Sequence, residues 1–185
     1  MIKKILLVLT VLFSPLMSVT GMAENGPLSL KSITGGEFYA HGIYGVNPLA
    51  DGESYSQLVD GKRIVVSSFK TGEQTGVLFD ADNTKGKVKV SRIDGYIMSP
   101  NQKNILLRTQ TQSIYRHSTT AVYYIYNVQN RTLAPLSDGG PQECPLWSPD
   151  GNMVGFVREG NLFLVKLLFD NAEVQITTDG EFRKI

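Results

Sequence analysis

Pro145-Leu-Trp-Ser-Pro-Asp-Gly-Asn-Met-Val-Gly-Phe-Val157 decides the fold. An aromatic-bearing extended piece runs into Ser148-Pro149, a turn follows at Asp150-Gly151, and an apolar run carries the chain away again. Asp-Gly supplies the positive φ that a tight turn between two strands requires. Pro149 fixes its own φ and withholds a donor where pairing should stop. Met153-Val-Gly-Phe-Val157 is apolar at consecutive rather than alternate positions, as expected of a strand covered on both faces.

The same grammar returns upstream. Gly95-Tyr-Ile-Met-Ser-Pro100 leads into a turn around Asn101-Gln102 and then the apolar strand Asn104 to Thr109. Ser54-Tyr-Ser-Gln-Leu58 leads into Asp60-Gly61 and then Arg63-Ile-Val-Val-Ser-Ser-Phe69. Third and fourth strands complete each unit: Thr75 to Asp80 and Lys87 to Ser91, Ala121 to Val128 and Arg131 to Leu136, and Asn161 to Leu168 and Glu173 to Thr177. Ser99 and Ser148 are 49 residues apart, and Asp60 and Asn101 are 41 apart. Periods in the forties with four short strands per unit predict an all-β fold, a partial β-propeller of about three four-stranded antiparallel blades. The blades fall at about 54–92, 93–138 and 143–180 of a propeller region spanning 54–185. Neighbouring blades then cover the apolar runs. Tyr96, Trp147, Phe156, Phe163 and the Tyr123-Tyr124-Tyr126 cluster are expected to pack between blades rather than to hold a ligand.

One connection breaks the pattern. Roughly eleven residues separate Thr109 from Ala121, more than the two to five usual for a hairpin loop. They are polar except for Ile114 and Tyr115, and they carry Arg116 and His117 beside these. The first and third units are shorter at this place. Such a loop on a rigid sheet is where binding groups tend to sit. The ordinary alternative is a solvated arginine next to a stray aromatic. In an up-and-down blade, this loop shares one face with the blade-to-blade connections.

Residues 1–23 read as a bacterial-type signal peptide: Lys3 and Lys4, the apolar run Ile5 to Leu16, then Gly21-Met-Ala23 at the cleavage position. The run is too short for a spanning helix of about 20 residues. Cleavage and export to the periplasm or beyond follow, with an uncleaved anchor as the alternative. Residues 24–53, punctuated by Gly35, Gly36, Gly42, Gly45, Pro48 and Gly52, read as an irregular lead-in arm with Leu28-Ser-Leu30 and Glu37-Phe-Tyr-Ala40 as short extended pieces. A net charge of +1 argues against a polyanionic partner such as nucleic acid. Cys144 is the only cysteine, so the chain has no internal disulfide. His41 and His117 stand at no metal-ligand spacing, and neither a metal nor a cofactor is expected.

Thr109 to Val128, with Tyr115-Arg-His-Ser118 followed by Tyr123-Tyr-Ile-Tyr-Asn127, resembles the corresponding region of the dipeptidyl peptidase IV family in its bacterial, Bacteroidetes-type form. Tyr96 to Gln102, Leu146 to Gly151 and Ile176-Thr-Thr-Asp-Gly180 fit that family's blade-opening register, so the resemblance covers roughly 54–185. The Ser-Pro-Asp-Gly pieces are shared by many propellers; the Arg-His-Ser loop beside its Tyr-rich strand is much more specific.

The resemblance implies a secreted or membrane-attached serine exopeptidase that removes X-Pro or X-Ala dipeptides from peptide N-termini. In that family an eight-bladed propeller covers an α/β-hydrolase domain. Arg116 matches the family arginine that reaches into the shared cavity and holds the carbonyl of the substrate's N-terminal dipeptide. His117 matches the neighbouring histidine. The family's paired glutamates are expected just beyond Ile185, and the hydrolase domain further on. No Gly-x-Ser-x-Gly elbow lies in the 185 residues and neither histidine has a nucleophile context, so this stretch alone is expected to be catalytically inactive. Peptide substrates, the hydrolase domain and a homodimer of the full-length protein are the partners so implied. A propeller fold hosts many functions, and a non-catalytic periplasmic scaffold for protein–protein interaction is the alternative.

Overall fold

The computed structural model describes residues 28–39 and 44–181; the segment 1–23, read above as a signal peptide, and His41 lie outside them. The chain divides into two units, 1–42 and 43–185. In the first, the described part holds one helical turn, α1 (Leu30–Thr34). Ser29 caps it: its side chain accepts from the Ser32 amide, and Ser32 returns the bond to the Ser29 backbone. This reciprocal pair satisfies two amides a helix start leaves open, so Leu30 begins a turn of helix rather than continuing an extended piece.

The second unit is built from three four-stranded antiparallel sheets. The first contains β1 (Asn47–Pro48), β2 (Ser54–Val59), β3 (Arg63–Ser68) and β4 (Gln74–Asp80). The second contains β5 (Gly95–Met98), β6 (Asn104–Ser113), β7 (Thr119–Asn127) and β8 (Thr132–Pro135). The third contains β9 (Glu143–Trp147), β10 (Met153–Arg158), β11 (Asn161–Lys166) and β12 (Ala172–Gln175). Each sheet runs in sequence order, as propeller blades do. The first sheet differs from the sequence expectation in one strand. Lys87–Ser91 forms no strand; the fourth member is β1, which lies in the segment read as an arm and pairs Asn47 with Ser56 and Pro48 with Tyr55.

The consecutive apolar runs face two ways. On β6, Ile105 and Leu107 join Ile64 and Phe79 of the first sheet, while Leu106 joins Val154, Phe156, Phe163 and Val165 of the third. Side chains alternate sides along a strand, so a strand between two neighbours must be apolar at every position. All three of these β6 side chains are fully buried. β7 behaves likewise, with Tyr126 toward the first sheet and Tyr123 and Ile125 toward the third. Phe79 and Tyr126 meet edge to face at 5.0 Å, and Phe156 stacks on Phe163 at 5.4 Å. Every aromatic expected between blades is found there: Tyr96 and Tyr124 pack on the first core, Trp147 on the second.

The repeated turns lock neighbouring blades together. The Ser99 hydroxyl accepts the Asn104 amide (3.0 Å) and the Ser148 hydroxyl accepts the Met153 amide (2.9 Å), closing the two turns in the same way. Asn101 Nδ2 then donates to the Asp150 carbonyl at 2.9 Å, and Trp147 Nε1 donates to the Ile97 carbonyl at 3.2 Å. Gly151, at φ 71°, lies directly under Asn101: a Cβ there would sit 2.5 Å from Nδ2. The turn's glycine therefore serves both the left-handed backbone and the close approach of the next blade.

Candidate functional site

The site is built on the hairpin β6–β7, which outgrows its blade. β6 extends to Ser113 and β7 begins at Thr119, so the connection is the five residues 114–118 rather than eleven. Strand pairing continues beyond the core as Gln112 opposite Thr120 and Ser113 opposite Thr119. The tip closes on itself: the amides of Ile114 (2.8 Å) and Tyr115 (3.3 Å) both donate to the Ser118 carbonyl. Tyr115, Arg116 and His117 are all exposed. The Arg116 guanidinium carbon lies 6.0 Å from the centroid of the Tyr115 ring, within reach of a cation–π attraction. Among the described residues Arg116 makes no ion pair and its side chain has no hydrogen-bond partner. The structure thus places Arg116 and His117 side by side at the end of an arm, with the guanidinium's donors open.

What sequence reading missed lies at the base of the arm. β6 bulges between Thr109 and Gln112, where the register shifts and Gln110 adopts φ 51°. The Thr111 amide, freed from the ladder, donates to Asp94 Oδ2 at 2.9 Å. That bond, with the positive charges of Arg108 and Arg92, holds the Asp94 carboxyl below its ordinary pKa against the opposing effect of burial. Arg108 lies flat on Gly95, where a Cβ would stand 2.8 Å from Nη2, and Nη2 donates to the Asp94 carbonyl at 3.2 Å. On the other strand, fully buried Gln142 pairs with Ala121 through both backbone groups and accepts the Tyr123 amide at 2.9 Å through Oε1. Asp94 and Gln142 come from the two links that join the middle blade to its neighbours. The hairpin is held at its base from both sides.

Hollows border this base, one of about 410 Å³ against the bulge itself, lined by Thr109, Gln110, Thr111 and Asp94. A cavity of about 290 Å³ is lined by Arg108, Tyr123, Tyr96, Asn47 and Asp94, with the Tyr96 hydroxyl tied to Ser56 (2.8 Å) and to Asn47 (2.9 Å). A cleft of about 530 Å³ runs from Thr120 of β7 past Pro141 and Glu143 to Arg158 and Glu159 of the third sheet. Among the described residues no group of three or more His, Cys, Asp or Glu is placed to hold a metal ion. Cys144 is free and exposed.

Comparison with known proteins converges on one family. Residues 99–185 match the family described as dipeptidyl peptidase IV (DPP IV) N-terminal region. The crystal structure of Porphyromonas gingivalis dipeptidyl peptidase 4 superimposes with a TM-score of 0.74 at 38% identity, covering 85% of this chain and 22% of that one. The probable dipeptidyl-aminopeptidase B of Colletotrichum graminicola is 30% identical over 182 residues, 88% of this chain and 20% of the relative. That of Verticillium alfalfae is 40% identical over 85 residues, 44% of this chain and 10% of the relative. The chain therefore spans about a fifth or less of the length of these relatives. With its three propeller-type sheets and the match over its second half, the chain belongs to the dipeptidyl peptidase IV family, within that family's N-terminal region.

Proposed function

We propose that the chain forms the N-terminal propeller part of an exported dipeptidyl peptidase IV-type serine exopeptidase. That enzyme releases X-Pro or X-Ala dipeptides from peptide N-termini, and Arg116 holds the carbonyl of the substrate's N-terminal dipeptide. The observation that carries this reading is the placement of Arg116: the tip of an arm specific to the middle blade, exposed, with no hydrogen-bond or ion-pair partner among the described residues. A guanidinium is a rigid fork of donors that keeps its charge at any working pH. The Tyr115 ring beside it narrows the volume the fork explores without occupying its N–H groups. His117, next along the tip, adds a second polar group at the same rim. Hydrolysis itself would fall to a nucleophile and base outside these 185 residues. The propeller's contribution is to gate and orient the substrate. The lysine-led apolar start of the sequence supports export.

The test is Arg116→Ala in the complete enzyme. A charge-assisted hydrogen bond contributes about 1.5–3 kcal/mol, so kcat/KM on a Gly-Pro substrate should fall by roughly one to two orders of magnitude. The thermal midpoint should not move, because the side chain is exposed and, among the described residues, makes no hydrogen bond or ion pair. An unchanged kcat/KM overturns the assignment.

A further inference from the structure

The arm that carries Arg116 is long relative to the tolerance of a hydrogen bond. From Thr111 to the tip is roughly 15 Å at about 3.4 Å per residue. A swing of about 15° at the bulge would move the guanidinium by roughly 4 Å, far outside hydrogen-bond range. Something must therefore set the angle at the base. A β-bulge alone leaves a free amide and a weakened ladder there. In this chain the free amide is that of Thr111, and Asp94 Oδ2 takes it at 2.9 Å.

We propose that Asp94 is a positioning residue for the Arg116 arm: by accepting the Thr111 amide at the bulge, its carboxylate fixes the angle at which the hairpin leaves the second sheet. Three observations support the assignment. Asp94 is itself immobilised, because its amide donates to the Arg108 carbonyl (2.7 Å) and its carbonyl accepts from Arg108 Nη2 (3.2 Å). The bulge is a committed bend, since Gln110 sits at φ 51°, a conformation non-glycine residues adopt at a cost. The opposite strand is fixed at the same level by Gln142, which leaves the β6 side as the hinge to be set. Asp94 touches no substrate in this account; it acts through the hairpin. Its bearing on peptide handling rests on the reading of Arg116 given above, whereas its effect on the arm does not.

The experiment uses the one cysteine of these 185 residues, with any cysteine elsewhere in the complete enzyme replaced by serine. Spin labels at Cys144 and at a Ser113→Cys substitution report the distance from the third sheet to the arm beyond the bulge. Asp94→Ala should broaden that distance distribution, and Asp94→Asn, which keeps a side-chain oxygen acceptor, should keep it narrow. Amide exchange in the chain without the Asp94 changes adds a readout independent of how those variants fold: Thr111 should be protected although it is outside the ladder. A distribution unchanged by Asp94→Ala, one broadened equally by Asp94→Asn, or a Thr111 amide exchanging like a free one each overturns the proposal. In the complete enzyme, Asp94→Ala should raise KM on the order of tenfold with little change in kcat. An arm loosened without any change in KM upholds the clamp and instead removes Arg116 from substrate binding.

Discussion

Arg158 lies flat against Phe163, its guanidinium carbon 4.0 Å from the ring centroid, and bonds Ser137 on one side and Glu173 Oε1 at 2.7 Å on the other. Gly139 closes over it, and a Cβ at that position would lie 2.3 Å from Nη1. The two side chains of the ion pair are only 15% and 28% exposed, so water screens them weakly and the pair outweighs an ordinary surface bridge. Burial pushes the Glu173 carboxyl up, but the hydrogen bonds from Arg158 and Ser137 and the charge of Arg158 outweigh it and hold it below its usual value. The sign follows: stability from this group is present above the unfolded-state carboxylate pKa and is lost as pH falls through the lowered folded-state value. Glu173→Gln should therefore flatten the acid limb of a stability–pH profile measured by urea unfolding. Arg158→Ala should cost about 1.5–3 kcal/mol, because the Glu173 carboxylate, its side chain 28% exposed, then loses its charged partner and keeps only the Ser137 hydroxyl. None of this was legible in the sequence, where Gly139, Arg158 and Glu173 have no spacing that joins them. Arg116 and His117 stood out in the sequence only because they interrupt a repeat, and they lie at an exposed tip.

At the scale of the element, legibility depended on whether a strand is apolar. β6 announces itself, because it is pressed between two covered faces and needs apolar residues at consecutive positions, and β3 and β10 carry apolar runs of the same kind. Leu106 is the middle of such a run and fully buried. Leu106→Ala should cost about 2–5 kcal/mol in chemical unfolding, whereas Gln112→Ala, on the exposed arm, should leave unfolding unchanged. The outer half of the hairpin was read as loop because Gln110-Thr-Gln-Ser113 carries no apolar stripe. It is strand all the same, paired with β7 beyond the core. The opposite error occurred at Lys87-Val-Lys-Val-Ser91. Its alternation is real, but Val88 and Val90 pack into the first core from irregular backbone, and nothing pairs with them. The first sheet's remaining strand is two residues long and contains Pro48, too brief to leave any period in the sequence.

Across the whole molecule, a short turn repeated with small variations organises three sheets, and the departure from the repeat is where function is proposed. Asn101 bonding the Asp150 turn and Trp147 bonding Ile97 give the blades a fixed mutual register. The hairpin that rises from the middle blade is steadied by links from both sides. A rigid frame of this kind lets an exposed arginine be placed rather than merely displayed. The central claim is that Arg116 meets the substrate's dipeptide carbonyl. The measurement that bears on it most directly is a crystal structure of the complete enzyme with a bound X-Pro dipeptide product. The account predicts an Arg116 guanidinium nitrogen within about 3 Å of a dipeptide carbonyl oxygen, with the hairpin in the conformation described. A dipeptide seated with Arg116 turned to solvent, or held by other cations, would contradict it.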